Sequence, residues 1–130
     1  MPRLQKLMGD VDIDVLIVSA PENVFYVSGV PTSFTSSNHL LFCSRRNSPV
    51  MCVVPREGEP SLVLSAAALD VATRNSWIRD LRLYATGTYI WRKNQVKLEA
   101  KTFHYTLQKV VLEKLSNKTS GKIGVELNDF

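Results

Sequence analysis

Apolar residues fall along the chain in short blocks, and the spacing within them changes from one block to the next. Leu4, Leu7 and Met8 share one side of a predicted helix over residues 3–9, with Gly9 as its stop. The polar run from Asp10 to Asp14 connects it to Val15-Leu16-Ile17-Val18. That unbroken apolar block is what a strand covered on both faces requires. Pro21 near a start, Glu22 in a first turn and Gly29 just past an end then mark one short helix. Val30 to Asn38, with Pro31 and several Ser and Thr residues, reads as a loop.

Leu40 to Ser44 and Val50 to Val54 are β-rich runs joined by Arg45-Arg46-Asn47-Ser48-Pro49, which predicts a hairpin. Ser61 to Leu64 is a further strand, and Ser65 is placed to cap a helix running to about Arg74. Ile78 to Ala85 alternates imperfectly, as a half-buried strand does. Phe103, Leu107, Val111 and Leu115 recur every four residues with Val110 beside them, the apolar stripe of an amphipathic helix. Ile123 to Leu127 supplies a last strand. Strands and helices mixed in this order predict an α/β fold, a single sheet flanked by helices.

The 130 residues fit one domain of the commonest size. With 45% hydrophobic and 22% charged residues, the chain belongs with ordinary globular proteins rather than disordered ones. No apolar run approaches the ~18 residues of a membrane span. The first residues lack the apolar core and cleavage site of a secretory signal, so the sequence predicts a cytoplasmic protein without membrane attachment. Cys43 and Cys52 both lie in apolar runs and read as buried, reduced thiols.

Charge is unevenly spread. Between Arg92 and Lys122 there are eight basic residues against Glu99 and Glu113, a net of +6, which leaves −2 for the rest of a chain of net charge +4. Tyr89, Trp91, Phe103 and Tyr105 are interleaved with that charge. A nucleic-acid or acidic-partner binding module built on the 92–122 segment is therefore a second reading, against which Phe103 already belongs to the buried stripe.

Familiar chemistry is missing from the pattern. His39 and His104 are the only histidines, and neither HExxH nor CxxC occurs. Asp10 to Asp14 opens like a calcium loop, but Val15 and Pro21 stand where that loop needs glycine and a bidentate glutamate. No nucleophile elbow, P-loop or dinucleotide fingerprint is present. The residues alone therefore predict no catalytic set, no metal site and no cofactor within this chain.

The segment Asp14 to Gly29 is more specific. Asp14-Val15-Leu16-Ile17-Val18 followed by Pro21-Glu22-Asn23-Val24-Phe25-Tyr26-Val27-Ser28-Gly29 resembles the opening of the amino-terminal domain of the creatinase/prolidase family. The resemblance runs on through Leu40–Val54 to Lys122-Ile123-Gly124-Val125-Glu126, similar to that family's Ile-Gly-Val-Glu strand. It covers nearly the whole chain, so residues 1–130 correspond to one such domain. It implies a mixed, roughly six-stranded sheet of ribonuclease H-like type, followed in family members by a separate catalytic domain. That second domain holds two divalent metal ions through two Asp, one His and two Glu, and it is absent from this chain.

What the resemblance implies is a fragment or expressed domain of an Xaa-Pro peptidase-like or creatinase-like hydrolase acting on a small peptide or creatine-like substrate. The domain itself is implied to be non-catalytic, to form a homodimer and to restrict access to the partner subunit's active site. Candidates for that gating are Phe34, Ser36 and His39, near or in the Val30–Asn38 loop, and the stretch around Tyr89 and Trp91. Trp91 falls where some proline-specific members place a tryptophan reaching the neighbouring subunit's substrate; the alternative is that it packs its own domain. For the motif residues a structural role is expected. Asn23 satisfies backbone groups near a helix start, Tyr26 lies in the core, and Gly29 takes a left-handed backbone. Gly124 belongs to the last strand, and Glu126 at its end orients a neighbouring loop. Val30 departs from the family, where many members carry an aromatic.

Overall fold

The computed structural model describes residues 1–31, 50–84, 102–115 and 120–126. Helix α1 (Pro2–Asp10) leads into strand β1 (Val15–Val18) and helix α2 (Pro21–Ser28). Strands β2 (Met51–Pro55) and β3 (Ser61–Ser65) follow, then a 3-10 turn over Ala66–Ala68 and helix α3 (Leu69–Asn75). Strand β4 (Asp80–Tyr84), helix α4 (Phe103–Lys114) and strand β5 (Ile123–Val125) complete the order.

The strands form one mixed sheet in the order β4-β3-β2-β1-β5. β1 runs antiparallel to β2 and parallel to β5, while β3 runs antiparallel to β2 and parallel to β4. The parallel step from β3 to β4 is made by the crossover through α3, as parallel neighbours require. Five strands lie among the described residues where roughly six are expected. The expected Leu40–Ser44 strand falls outside the described residues, and both edges of β2 are taken by β1 and β3.

Side chains alternate across the sheet into two cores. Leu16 and Val18 of β1, Cys52 and Val54 of β2, and Leu62 and Leu64 of β3 face one core with Met8, Val24, Val27 and Ala72 from the helices α1, α2 and α3 and with Ile78 from the approach to β4. Val15, Val53, Val63 and Tyr84 face the other, closed by α4 through Phe103, Leu107, Val110, Val111 and Leu115. The four-residue stripe read from the sequence is the face that α4 buries. β1 is apolar along its whole length because it is covered on both faces.

Local chemistry moves two element ends and fixes a third where it is expected. α1 does not stop at Gly9 but runs to Asp10, and the left-handed residue is Asp12 at φ 58°, a conformation that aspartate tolerates better than most residues. Ser65 does not cap a helix, because it pairs with Tyr84 in the β3–β4 ladder; α3 begins at Leu69 instead. α2 ends at Gly29 with φ 77°. Its last carbonyls, which lack partners within the helix, are met from the end of α3: Ser76 Oγ donates to Ser28 O at 2.9 Å and Trp77 Nε1 to Val27 O at 2.9 Å.

Candidate functional site

The two sequence motifs, far apart in the chain, meet where β5 ends and α2 begins. The residue before α2 is Ala20, whose side chain cannot cap the helix, and the two amides leading into α2, Ser19 N and Ala20 N, take their acceptor from a distant segment. Glu126 supplies it. Its Oε2 accepts from Ser19 N at 2.8 Å and from Ala20 N at 2.7 Å, while Oε1 accepts from the Asn23 side-chain amide. A carboxylate at a helix start also lies favourably against the helix dipole.

Burial pushes the Glu126 carboxyl up, but the hydrogen bonds from Ala20, Ser19 and Asn23 outweigh it and hold the group below its usual 4.5. A carboxylate kept ionised, with both oxygens engaged, is a poor proton donor near neutrality. It serves as a fastener between elements. The expectation for Asn23 is thus corrected: Glu126, rather than Asn23, satisfies the backbone groups, and Asn23 braces Glu126.

Beside this fastener lies a depression of about 380 Å³ lined by Leu4, Leu16, Val18, Tyr26 and Val27, with Asn23 and Glu126 as its polar end. Tyr26 is not in the core as expected; it is 89% exposed. The helical period explains this, since the buried positions of α2 are Val24, Val27 and Ser28, and residue 26 points away from them. Gly124 sits in β5 where an added Cβ would meet Ile13 Cδ1 at 3.0 Å and Leu16 Cδ1 at 3.1 Å, so those two side chains would have to give by a few tenths of an ångström. Phe34, Ser36, His39, Tyr89 and Trp91 lie outside the described residues.

A second polar cluster, not anticipated from the sequence, ties the start of β5 to the α1–β1 turn. Asp12 pairs with Lys122 Nζ at 2.6 Å and Arg56 at 2.8 Å, and Arg56 also reaches Asp14 at 3.3 Å. The hydrogen bond from Lys122, then that from Arg56, holds the Asp12 carboxyl down at about 2. Such a lowered group adds stability that is complete above the ordinary 3.8 and is lost as pH falls through about 2. Lys122→Gln is therefore expected to raise the Asp12 titration midpoint toward 3.8, which carboxyl-detected NMR measures directly; an unmoved midpoint would show that this pair does not form in solution.

Against protein-family models, residues 1–130 match the creatinase/prolidase N-terminal domain. The chain belongs to that family. No curated protein matches the sequence significantly. Among solved structures, a prolidase from Pyrococcus furiosus is similar at 17% sequence identity with a TM-score of 0.43, over 93% of this chain and 30% of that one. The present chain thus spans about a third of the length of that prolidase.

Within this creatinase/prolidase N-terminal domain, the described residues contain no group of three or more His, Cys, Asp or Glu able to hold a metal ion. Asp12 and Asp14 have their charge met by Arg56 and Lys122. Lysines of the basic 92–122 segment that lie among the described residues are drawn to carboxylates: Lys109 to Glu113 at 3.8 Å, Lys114 to Asp80 at 3.4 Å and Lys122 to Asp12 at 2.6 Å. Among the described residues no helix is long and apolar enough to cross a membrane. Cys52 is buried on β2, and burial pushes its thiol up to about 12, so it stays protonated. Cys43 lies outside the described residues.

Proposed function

We propose that this chain is the non-catalytic accessory domain of a two-domain Xaa-Pro peptidase- or creatinase-type metallohydrolase. Its work is to hold two subunits together and to shape access to the partner subunit's active site, with Phe34, Ser36, His39, Tyr89 and Trp91 as the gating candidates. The observation that carries this reading is the family match along residues 1–130, to a domain that is by description amino-terminal. The role of Glu126 agrees with it: the motif residues bind one element to another instead of converging as acid, base and nucleophile.

The hydrolytic chemistry then belongs to a domain on the carboxyl side, which would supply the two divalent ions and their ligands. The substrate is a small peptide or a creatine-like molecule, and the setting is the cytoplasm. Assay of the 130-residue chain with Xaa-Pro dipeptides and with creatine, with manganese, cobalt or zinc added, is expected to give no turnover. The protein extended through its own reading frame is expected to hydrolyse one of these classes. Turnover by the short chain that survives purification and follows mutations within it would overturn the proposal.

A further inference from the structure

The Glu126 carboxylate has acceptor capacity left over. A carboxylate offers about four lone-pair positions. Three are taken: Ser19 N and Ala20 N meet Oε2, and the Asn23 side-chain amide meets Oε1. All three donors are neutral, and among the described residues Glu126 pairs with no cation. The group therefore keeps its negative charge, with a lone pair of Oε1 unused.

That charge stands at one end of an apolar depression. Four aliphatic side chains, Leu4, Leu16, Val18 and Val27, line about 380 Å³ beside it, and Glu126 is the only charged residue among the described residues of the lining. Space of this size, mostly apolar with a few polar groups to fix orientation, is the usual form of a small-molecule site. The walls are firm, since Val18 and Val27 belong to the core and the carboxylate is held by the turn that it anchors. Tyr26, also in the lining and largely exposed, adds an aromatic ring, whose face attracts cations.

We propose that this depression binds a primary ammonium carried on a compact apolar body. The ammonium donates to Oε1 of Glu126 and meets its charge, while the hydrocarbon part covers Leu4, Leu16, Val18 and Val27. Both halves are needed. An anion would meet Glu126 with like charge, and a neutral hydrocarbon would strip the carboxylate of water without replacing it. The far end sets a further limit. The adjoining depression shares Leu4, Tyr26 and Val27 and carries Arg3, so a second ammonium on the tail would approach a guanidinium. The ligand is a monoamine. The site stands apart from the accessory-domain reading, because none of its residues is among the gating candidates.

Titration of the 130-residue chain, followed by amide NMR, tests the assignment. Phenethylamine is the probe, with phenethyl alcohol as its neutral counterpart and hydrocinnamate as the anion. Phenethylamine is expected to shift the Ser19, Ala20 and Asn23 side-chain signals saturably, with a dissociation constant on the order of millimolar. Phenethyl alcohol lacks the charge-assisted bond and is expected to bind about tenfold more weakly, or worse. Hydrocinnamate should be weaker still, and hexylamine should bind better than hexamethylenediamine. Glu126→Gln should abolish the preference for amine over alcohol. Tyr26→Ala, at an exposed position that leaves the core intact, should weaken phenethylamine about two- to fivefold.

No saturable shift at Ser19, Ala20 and Asn23, equal affinity for amine and alcohol, or a diamine that binds as tightly as hexylamine overturns the proposal. So does a preference for amine that survives Glu126→Gln, or an affinity that Tyr26→Ala leaves unchanged, because the amine then sits elsewhere. Should Glu126→Gln fail to fold, the ligand series and Tyr26→Ala still decide.

Discussion

Gly29→Ala is expected to lower the unfolding free energy by about 2–4 kcal/mol, the left-handed backbone and the steric overlap each contributing a part. The residue has φ 77°, and an added Cβ would stand 2.8 Å from the carbonyl oxygen of Asn75. That neighbour is backbone, so no side chain can swing away. Neither helix end can retreat easily, because Ser76 and Trp77 hold the last carbonyls of α2. Gly58 provides the comparison: its φ is 96°, but nothing lies within 4 Å of its added Cβ. Gly58→Ala should show only the backbone cost, about 1–2 kcal/mol. Urea unfolding of both variants decides the matter, and equal losses would mean that the close approach to Asn75 carries no energy.

Removing the Glu126 carboxylate is expected to have the next largest effect. Glu126→Ala leaves Ser19 N, Ala20 N and the Asn23 amide without their acceptor, at a cost of about 1–3 kcal/mol. Glu126→Gln keeps the shape and one acceptor, so its loss should be smaller. The sign with pH follows from the lowered carboxyl. Its contribution is complete above about 4.5 and is lost as pH falls through the folded-state value below that. In the Glu126→Ala variant this part of the acid limb should be missing. An acid-unfolding curve that keeps the wild-type slope would show that Glu126 is not linked to folding, and a double-mutant cycle with Asn23→Ala measures how much of the effect the pair shares.

Elements that depend on neighbours in sequence were legible; connections between distant segments were not. β1 and α2 could be placed from the residues because an apolar block, a proline, an acid and a glycine act locally. The α4 stripe was legible because its period is set by the helix itself. The anchor of the turn into α2 was not, because nothing around Ser19 and Ala20 shows that their amides meet Glu126, four strands later. For Tyr26, an aromatic residue in a short helix suggests a core position, and only the helical phase of Val24 and Val27 corrects it. Ser65 carried a capping signal that the β3–β4 ladder overrode. The Asp12–Lys122–Arg56 cluster left no local trace either, since each partner stands at the mouth of a different strand.

The placement of β5 also has a consequence for the order of assembly. β1 completes its pairing only when residues 123–125 reach it, and the turn into α2 receives its acceptor from residue 126. Closing so long a loop carries an entropic penalty that local contacts cannot offset early. Within this domain β1 and the turn into α2 are thus left unfinished until β5 emerges, and nascent chains that stall before residue 126 would present an unzipped margin to chaperones.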